Sequence, residues 1–322
     1  QHPMENKAIQ GLYAPGSIFK VVTAYAGLEN GAITPETEYV CNGFFHVKGR
    51  SEPFKCWKET GHGRVKLHDA IKGSCNVFFY NTGMGAGVDE LHKFASLFRL
   101  GKLTGVGLLN EKAGLIPSSS WKKRVFNEPW YGGETPSMSI GQGFIIVTPL
   151  QVINMINILA NDGMWVPPRL FLEDEGTAPQ QIPLNKEYLS LIRKGMIAVV
   201  NEAGGTARKV QFEEFTVAGK TATSQVISTK TMETLDEEAK LKKEFQNHAW
   251  FVAFGPAEDP EISVIALVEH GGGGSRVAAP VVRKILSYYI DNIYKPKSKK
   301  TVQTNFESKN FKFSTRLQMA FN

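Results

Sequence analysis

The chain has 322 residues, of which 42% are hydrophobic and 21% are charged. It can therefore bury a large core, and both an intrinsically disordered protein and a disulfide-stapled miniprotein are excluded. The formal net charge of +6 is carried entirely by residues 295–322, which hold seven basic side chains against one acidic side chain, so no nucleic-acid-binding groove is expected on the electrically balanced remainder.

The spacing of apolar residues predicts a first helix over 17–29, which follows Pro15-Gly16 and ends at the capping pair Asn30-Gly31. Residues 39–68 lack a helical period and contain several glycines and a proline, which predicts a loop-rich excursion. The same helical spacing returns further along and predicts helices over 67–82, 88–98, 149–161, 185–201 and 277–293.

Runs of β-branched and aromatic residues predict strands over 214–224, 248–255 and 261–270. Helices followed by consecutive strands indicate an α+β domain with an antiparallel sheet, expected to occupy residues 1–294. The charged stretch 230–244 is expected to be a solvated excursion, and residues 295–322 a basic tail. The apolar stretch 144–160 is interrupted by Pro149 and several polar side chains, so it predicts a core helix, and any membrane anchor is expected outside this chain.

Three short motifs combine hydroxyls, amines and an amide in chain order. Ser17 and Lys20 stand at i and i+3, where a lysine with a lowered pKa can deprotonate a serine. Ser74-Cys75-Asn76 offers a relay hydroxyl and an amide, and Lys220-Thr221-Ala222-Thr223 offers an ammonium and two hydroxyls on a strand. Each motif alone is weak, because the first recurs at Ser119–Lys122 and Ser120–Lys123 and the second at Ser308-Lys309-Asn310.

In their helix, loop and strand settings, the three motifs together resemble those of serine penicillin-recognising enzymes. From about residue 5 to 294 the chain is similar to the transpeptidase domain of class B penicillin-binding proteins, and residues 57–64 and 129–133 resemble its rod-elongation type. This resemblance implies the family's α+β fold, an antiparallel sheet flanked by helices. The family builds a helix and two strands upstream of the nucleophile, but only 16 residues precede Ser17, so we expect either that the chain is a fragment or that those elements are absent.

The resemblance also implies roles for the motif residues. Ser17 would be the acylated nucleophile, Lys20 its base, Ser74 the proton relay to the leaving amine, and Asn76 the group that holds the acyl-side amide. Lys220 and the neighbouring strand would bind the substrate carboxylate through Thr221 and Thr223, and the backbone N–H groups of Ser17 and Thr223 would form an oxyanion hole. Ala222 stands where the family usually has glycine.

The implied activity is that of a peptidoglycan D,D-transpeptidase that crosslinks stem peptides during cell elongation and is acylated by β-lactams. Its implied location is the periplasmic side of the bacterial inner membrane, beside a glycosyltransferase and a scaffold protein, and no organic cofactor is expected. The alternatives are a β-lactamase of the same superfamily, although no Glu-x-x-x-Asn segment occurs near Glu128 or Glu134, and a non-catalytic penicillin sensor or scaffold.

The cysteines indicate a metal site in the loop-rich excursion. All three lie within 35 residues, and with His62 they supply three thiolates and one imidazole at spacings of 15, 6 and 13 for a structural zinc ion, held by Cys41, Cys56, His62 and Cys75. His46 and His68 are alternatives to His62. One disulfide plus a buried thiol, or three isolated core cysteines, are the competing interpretations.

Overall fold

The structure is a computed structural model that describes residues 4–171, 177–226 and 242–295. The chain divides into two compact units, 1–282 and 283–322. The first unit contains every candidate site residue. The predicted tail beyond Lys295 and residues 230–241 of the predicted excursion lie outside the described residues. Within the described ranges, no helix combines the length and the apolar character needed to cross a membrane.

Nine α-helices occur in the described residues: α1 Lys20–Glu29, α2 Leu67–Lys72, α3 Asn76–Ala86, α4 Val88–Leu97, α5 Ser119–Phe126, α6 Thr135–Ser139, α7 Pro149–Ala160, α8 Lys186–Asn201 and α9 Ala278–Tyr289. The predicted helices 88–98, 149–161 and 185–201 are confirmed to within one residue at their ends. The predicted helix 277–293 ends in a π-helical turn over Ile290–Tyr294. Helices α5 and α6 were not predicted from the sequence.

The single helix predicted over 67–82 is wrong. The chain breaks there into α2 and α3, because Ser74 adopts a left-handed backbone with a φ of 54°. A residue in the left-handed conformation cannot continue a right-handed helix, whose backbone φ is near −60°. The break turns the Ser74-Cys75-Asn76 motif into a tight turn at the start of α3.

Helix starts follow their local sequence. The α7 helix begins with Pro149 at its first position, and Thr148 and Gln151 form a reciprocal capping box. Asn185 caps α8 by accepting a hydrogen bond from the backbone N–H of Glu187. The predicted helix over 17–29 instead begins with a 3-10 turn over Gly16–Ile18 before α1. Its nucleophile candidate therefore stands in a tighter turn than the periodicity indicated.

The strands of the described residues are β1 Tyr39–Cys41, β2 Phe44–Phe45, β3 Phe54–Lys55, β4 Gly63–Val65, β5 Met164–Trp165, β6 Gln180–Gln181, β7 Ala218–Ser224, β8 His248–Gly255 and β9 Ile262–Val268. Three of them form the main antiparallel sheet, in the order β7-β8-β9. The excursion at 39–68 is not only loop, since it contains two short antiparallel pairs, β1 with β4 and β2 with β3. The α+β class with an antiparallel sheet is confirmed.

The α1 helix lies in the core of the first unit. Every residue from Lys20 to Leu28 is buried, and α1 packs on α3, α4 and α8. The α8 helix in turn covers α2 and the strand β7. Burying an amine at the start of this helix is costly unless the amine is hydrogen-bonded or neutral. The fold thus places Lys20 where its charge is destabilised.

Candidate active site

The nucleophile candidate Ser17 lies in the 3-10 turn that precedes α1, where it is half-buried. The turn touches the strand β7, because a Cβ built on Gly16 would approach Thr223 O to 3.0 Å and the Ala222 Cβ to 3.3 Å. Gly16 also has a positive φ of 54°, which favours glycine. The close approach sets Ser17 beside the edge of the sheet.

Lys20 is fully buried, and its Nζ meets three uncharged acceptors. It donates to Ser74 O at 2.8 Å, to Ser74 Oγ at 3.1 Å and to Asn76 Oδ1 at 2.7 Å. Burial lowers the pKa of Lys20 to about 8, against an opposing effect of the nearby cysteine thiols. A substantial neutral fraction is therefore present near neutral pH, and a neutral amine can accept a proton.

Lys220 approaches the same hydroxyl from the sheet. Its Nζ is fully buried and lies 2.9 Å from Ser74 Oγ, and it also donates to Thr221 O at 3.2 Å. Burial, together with the charge of Lys20, holds the pKa of Lys220 well below its usual value. The structure thus brings Lys20, Ser74 and Lys220 into one buried network, although they are far apart in sequence.

The strand β7 forms one edge of the sheet, and its residues differ in accessibility. Thr223 is exposed, and its carbonyl accepts from Gln142 Nε2 at 3.4 Å. Thr221 is buried, with its hydroxyl 2.8 Å from that of Thr206. Ala222 is also buried. Thr223 is thus the member of the predicted carboxylate-binding set whose hydroxyl is open to a ligand, whereas Thr221 is engaged by Thr206.

Two glycines, Gly141 and Gly274, make close backbone contacts with the turn at Gly16 and with β7 respectively. The Gly141 carbonyl accepts a hydrogen bond from the backbone N–H of Gly16 at 2.9 Å. A Cβ added to Gly141 would lie only 2.3 Å from the Gly16 carbonyl oxygen. A Cβ on Gly274 would lie 2.4 Å from Ala222 O. Both positions need glycine for close backbone approach, and a glycine in an otherwise unexplained loop was the available signal.

The cysteines and His62 form a compact cluster. The ligand atoms of Cys41, Cys56, His62 and Cys75 all lie within 4.8 Å of one another. His62 Nδ1 is 3.6 Å from Cys41 Sγ and 3.5 Å from Cys56 Sγ. Each cysteine is buried and none forms a disulfide, so the interpretations as a disulfide or as isolated thiols are wrong.

The electrostatics of the cluster favour a thiolate. Hydrogen bonds from Cys75 and then His62 hold the pKa of Cys56 at about 3, while burial alone would raise it. His68, an alternative ligand from the sequence, instead lies 3.1 Å from a carboxylate oxygen of Glu202. A thiolate beside two thiols and an imidazole is a donor set of the kind that zinc prefers.

The buried network around Ser74 and the antiparallel sheet were compared with known protein families. Residues 1–287 match the family model for the penicillin binding protein transpeptidase domain. The chain belongs to this family, and the resemblance drawn from its motifs is confirmed.

Two curated relatives share the name peptidoglycan D,D-transpeptidase MrdA. The chain is 37% identical to the Haemophilus influenzae protein over 300 residues, which is 90% of this chain and 46% of that protein. It is 33% identical to the Escherichia coli K12 protein over 297 residues, which is 89% of this chain and 47% of that protein. The chain therefore spans about half the length of these relatives.

Two solved structures share the fold closely. A complex of the penicillin-binding protein PBP2 with MreC from Helicobacter pylori matches with a TM-score of 0.80 and 34% identity, covering 90% of this chain and 52% of that chain. Pseudomonas aeruginosa PBP2 in complex with WCK 5153 matches with a TM-score of 0.79 and 34% identity, covering 89% of this chain and 63% of that one.

Proposed function

We propose that this chain is the catalytic part of a peptidoglycan D,D-transpeptidase that works through a Ser17 acyl-enzyme. The observation that carries the proposal is the Ser74 hydroxyl held between the buried amines of Lys20 and Lys220, with Ser17 three residues before Lys20 in the 3-10 turn that leads into α1. The family membership and the relatives named D,D-transpeptidase support it.

In the first half of the proposed reaction, neutral Lys20 takes the proton of the Ser17 hydroxyl as its oxygen attacks the penultimate D-Ala carbonyl of a stem peptide. The backbone N–H groups of Ser17 and Thr223 stabilise the oxyanion. When the tetrahedral intermediate collapses, the C–N bond to the terminal D-Ala breaks, Ser74 passes its proton to the leaving amine, and protonated Lys20 reprotonates the Ser74 oxygen.

In the second half, the amine of another stem peptide attacks the ester carbonyl and loses a proton to Lys20 through Ser74. The bond between the acyl carbon and the Ser17 oxygen breaks, and Lys20 returns that proton to the serine oxygen. Asn76 binds the amide of the acyl group. The exposed Thr223 hydroxyl binds the substrate carboxylate, while buried Lys220 acts through the Ser74 hydroxyl and Thr221 is held by Thr206. A β-lactam follows the first half only, because its leaving amine stays tethered to the acyl group.

The assemblies named for two solved relatives support a proposal about the partners of this chain. One solved relative is a complex with MreC, and another forms part of a peptidoglycan synthase complex that coordinates polymerisation and crosslinking. We infer that this chain also works during cell elongation with a scaffold and a glycosyltransferase, on the periplasmic side of the bacterial inner membrane.

The Cys/His cluster is proposed to hold one structural zinc ion. Tetrahedral zinc with Zn–S of about 2.3 Å and Zn–N of about 2.05 Å requires N···S separations of about 3.6 Å. The two observed separations, 3.6 and 3.5 Å, agree with this requirement. Because Cys75 lies between Ser74 and Asn76, the bound metal would fix the second motif to the excursion over 39–68.

Elemental analysis tests the metal proposal. Purified protein is expected to contain about one equivalent of zinc, with the three thiols unreactive until a strong chelator is added. Metal content near zero, together with three freely titrating thiols, would remove the site.

The test of the activity is labelling by a fluorescent penicillin. Ser17→Ala is expected to abolish covalent labelling and leave the fold intact. Ser120→Ala is the matched control, because exposed Ser120 has the same spacing to Lys123 and should label like wild type. Full labelling of Ser17→Ala would contradict the proposal.

The lifetime of the adduct separates this proposal from a β-lactamase. The carboxylates of Glu128 and Glu134 both face Lys122, at 3.8 Å for Glu128 and in a closer pair for Glu134. Since these carboxylates are engaged there, we expect the penicilloyl adduct to persist. Continuous turnover of penicillin would instead favour the β-lactamase.

A further inference from the structure

Trp57 is a large side chain for which the proposed reaction has no use. The residue is 58% exposed, so burial in the core does not explain its position. Its indole N–H nonetheless donates to two consecutive backbone carbonyls, Gly73 O at 3.1 Å and Ser74 O at 3.0 Å. An indole nitrogen only donates, so these contacts fix the orientation of the ring.

Both carbonyls belong to the turn between α2 and α3. Helices leave their last C=O groups without partners within the helix, and side-chain donors commonly satisfy them. Ser74 also holds a left-handed φ of 54°, which is unfavourable for a residue with a Cβ and persists only where its surroundings enforce it. Trp57 is one of the groups that enforce it.

Three successive residues, 55–57, each contact one residue of the Ser74-Cys75-Asn76 motif. The Lys55 carbonyl accepts from Asn76 Nδ2 at 3.2 Å, the Cys56 thiol hydrogen-bonds the Cys75 thiol, and Trp57 reaches Ser74. The far side of the Trp57 ring meets His62 edge-on, with ring centroids 5.4 Å apart. The segment is therefore fixed at both of its ends.

The Ser74 carbonyl is shared with the proposed base. It accepts from Lys20 Nζ at 2.8 Å as well as from Trp57. A neutral amine has two N–H groups and one lone pair. If its two N–H groups go to Ser74 O and Asn76 Oδ1, the lone pair is left to accept a hydroxyl proton, and its direction depends on where those two acceptors are held.

We propose that Trp57 is a positioning residue of the acylation site, whose indole N–H fixes the Ser74 carbonyl and thereby the direction of the Lys20 amine. The inference rests on the proposed function, since it assigns Trp57 a part in the acylation of Ser17. Trp57 need not touch the substrate, and its effect passes through Ser74.

The test separates the N–H group from the ring. Trp57→Phe removes the donor and keeps an aromatic ring beside His62, whereas Trp57→Ala removes both. Stopped-flow labelling with a fluorescent penicillin gives the first-order acylation rate constant, k2, and the dissociation constant K of the preceding noncovalent complex. We expect Trp57→Phe to lower k2 about two- to tenfold with K unchanged, the range of factors that one neutral hydrogen bond contributes. Trp57→Ala should lower k2 little further.

Two controls isolate the effect. Trp130→Phe deletes an indole N–H that donates to Thr135 Oγ1 at 2.9 Å, and it should leave k2 unchanged. Thiol reactivity and metal content should be the same in Trp57→Phe and wild type, which shows that the Cys/His cluster is intact.

An unchanged k2 in Trp57→Phe would overturn the inference, as would a loss confined to K, which would make the exposed ring a substrate-binding surface. Failure of the proposed function is distinguishable, because wild-type protein itself would then form no adduct on Ser17.

Discussion

The same four-residue pattern, serine followed by lysine three positions later, occurs in two buried regions of this molecule with different outcomes. Lys20 is fully buried, and its hydrogen bonds go to uncharged acceptors on Ser74 and Asn76. Lys122 is almost as buried, at 5% exposed, but it is ion-paired with Glu134. Spacing and burial are alike, and the charge of the partner differs.

The serines differ in the same way. The Ser119 hydroxyl donates to an Asp89 carboxylate oxygen at 2.7 Å, so this serine links α5 to α4. Ser17 stands in a turn that packs against β7, three residues before the buried amine of Lys20. A lysine becomes a base where its charged form is left without a counter-charge, and becomes structural where a carboxylate supplies one. The comparison therefore identifies the charge of the partner as the property that distinguishes a catalytic lysine such as Lys20 from a structural lysine such as Lys122.

The largest expected effect comes from removing each amine in turn. Lys20→Met should lower the penicillin acylation rate by about 10²- to 10⁴-fold, the range that general base catalysis contributes. Lys122→Met should acylate at the wild-type rate but lose about 1–3 kcal/mol of unfolding free energy, because Glu134 loses its ion pair. Acylation kinetics and denaturant unfolding measure the two outcomes. Equal acylation losses in both variants would break the comparison.

A smaller effect is expected when the base is given the kind of partner that Lys122 has. Asn76→Asp puts a carboxylate at the atom that lies 2.7 Å from Lys20 Nζ. The new charge should raise the pKa of Lys20 from about 8 and lower acylation about 10- to 100-fold at pH 7. The loss should shrink as the pH is raised, which separates it from lost substrate contacts. A loss that is constant with pH would count against the interpretation.

The smallest expected effect is the change in the wild-type acylation rate between pH 7 and pH 8, about fivefold for a base with a pKa of about 8. Lys20 must be neutral to act, so the acylation rate should rise with pH, level off above about pH 8 and fall about tenfold per unit below it. The rate of labelling at subsaturating penicillin across pH 5.5–9.5 gives the profile. A flat profile through pH 7–8 would mean that another group limits the proton transfer.

Much of the fold was predictable because its signals are local. The α7 and α8 helices have apolar faces and capped starts, and the strand β8 was predicted with its observed bounds. The break at Ser74 was not predictable in this way. Its neighbours have helical periodicity, and the left-handed turn is enforced by Trp57 and Lys20, which are distant in sequence.

The site was predictable in its residue types but not in its geometry. Motif order pointed to Ser17, Lys20, Ser74 and Lys220, yet no spacing rule shows that one hydroxyl lies between two amines. The pairing of Thr221 with Thr206 and the donor role of Trp57 depend on tertiary contacts. The four strands in the excursion over 39–68 were not predicted, because strands of two or three residues carry almost no periodic signal and the glycines around them favour a loop.

Locating the penicilloyl adduct by mass spectrometry tests the central claim most directly. Trypsin releases residues 8–20 as one peptide, and its single serine is Ser17. If Ser17 is the nucleophile, this peptide gains the mass of one penicillin molecule and the peptides carrying Ser74, Ser119 and Ser120 do not. An adduct on any of those peptides, with residues 8–20 unmodified, would contradict the assignment of the nucleophile.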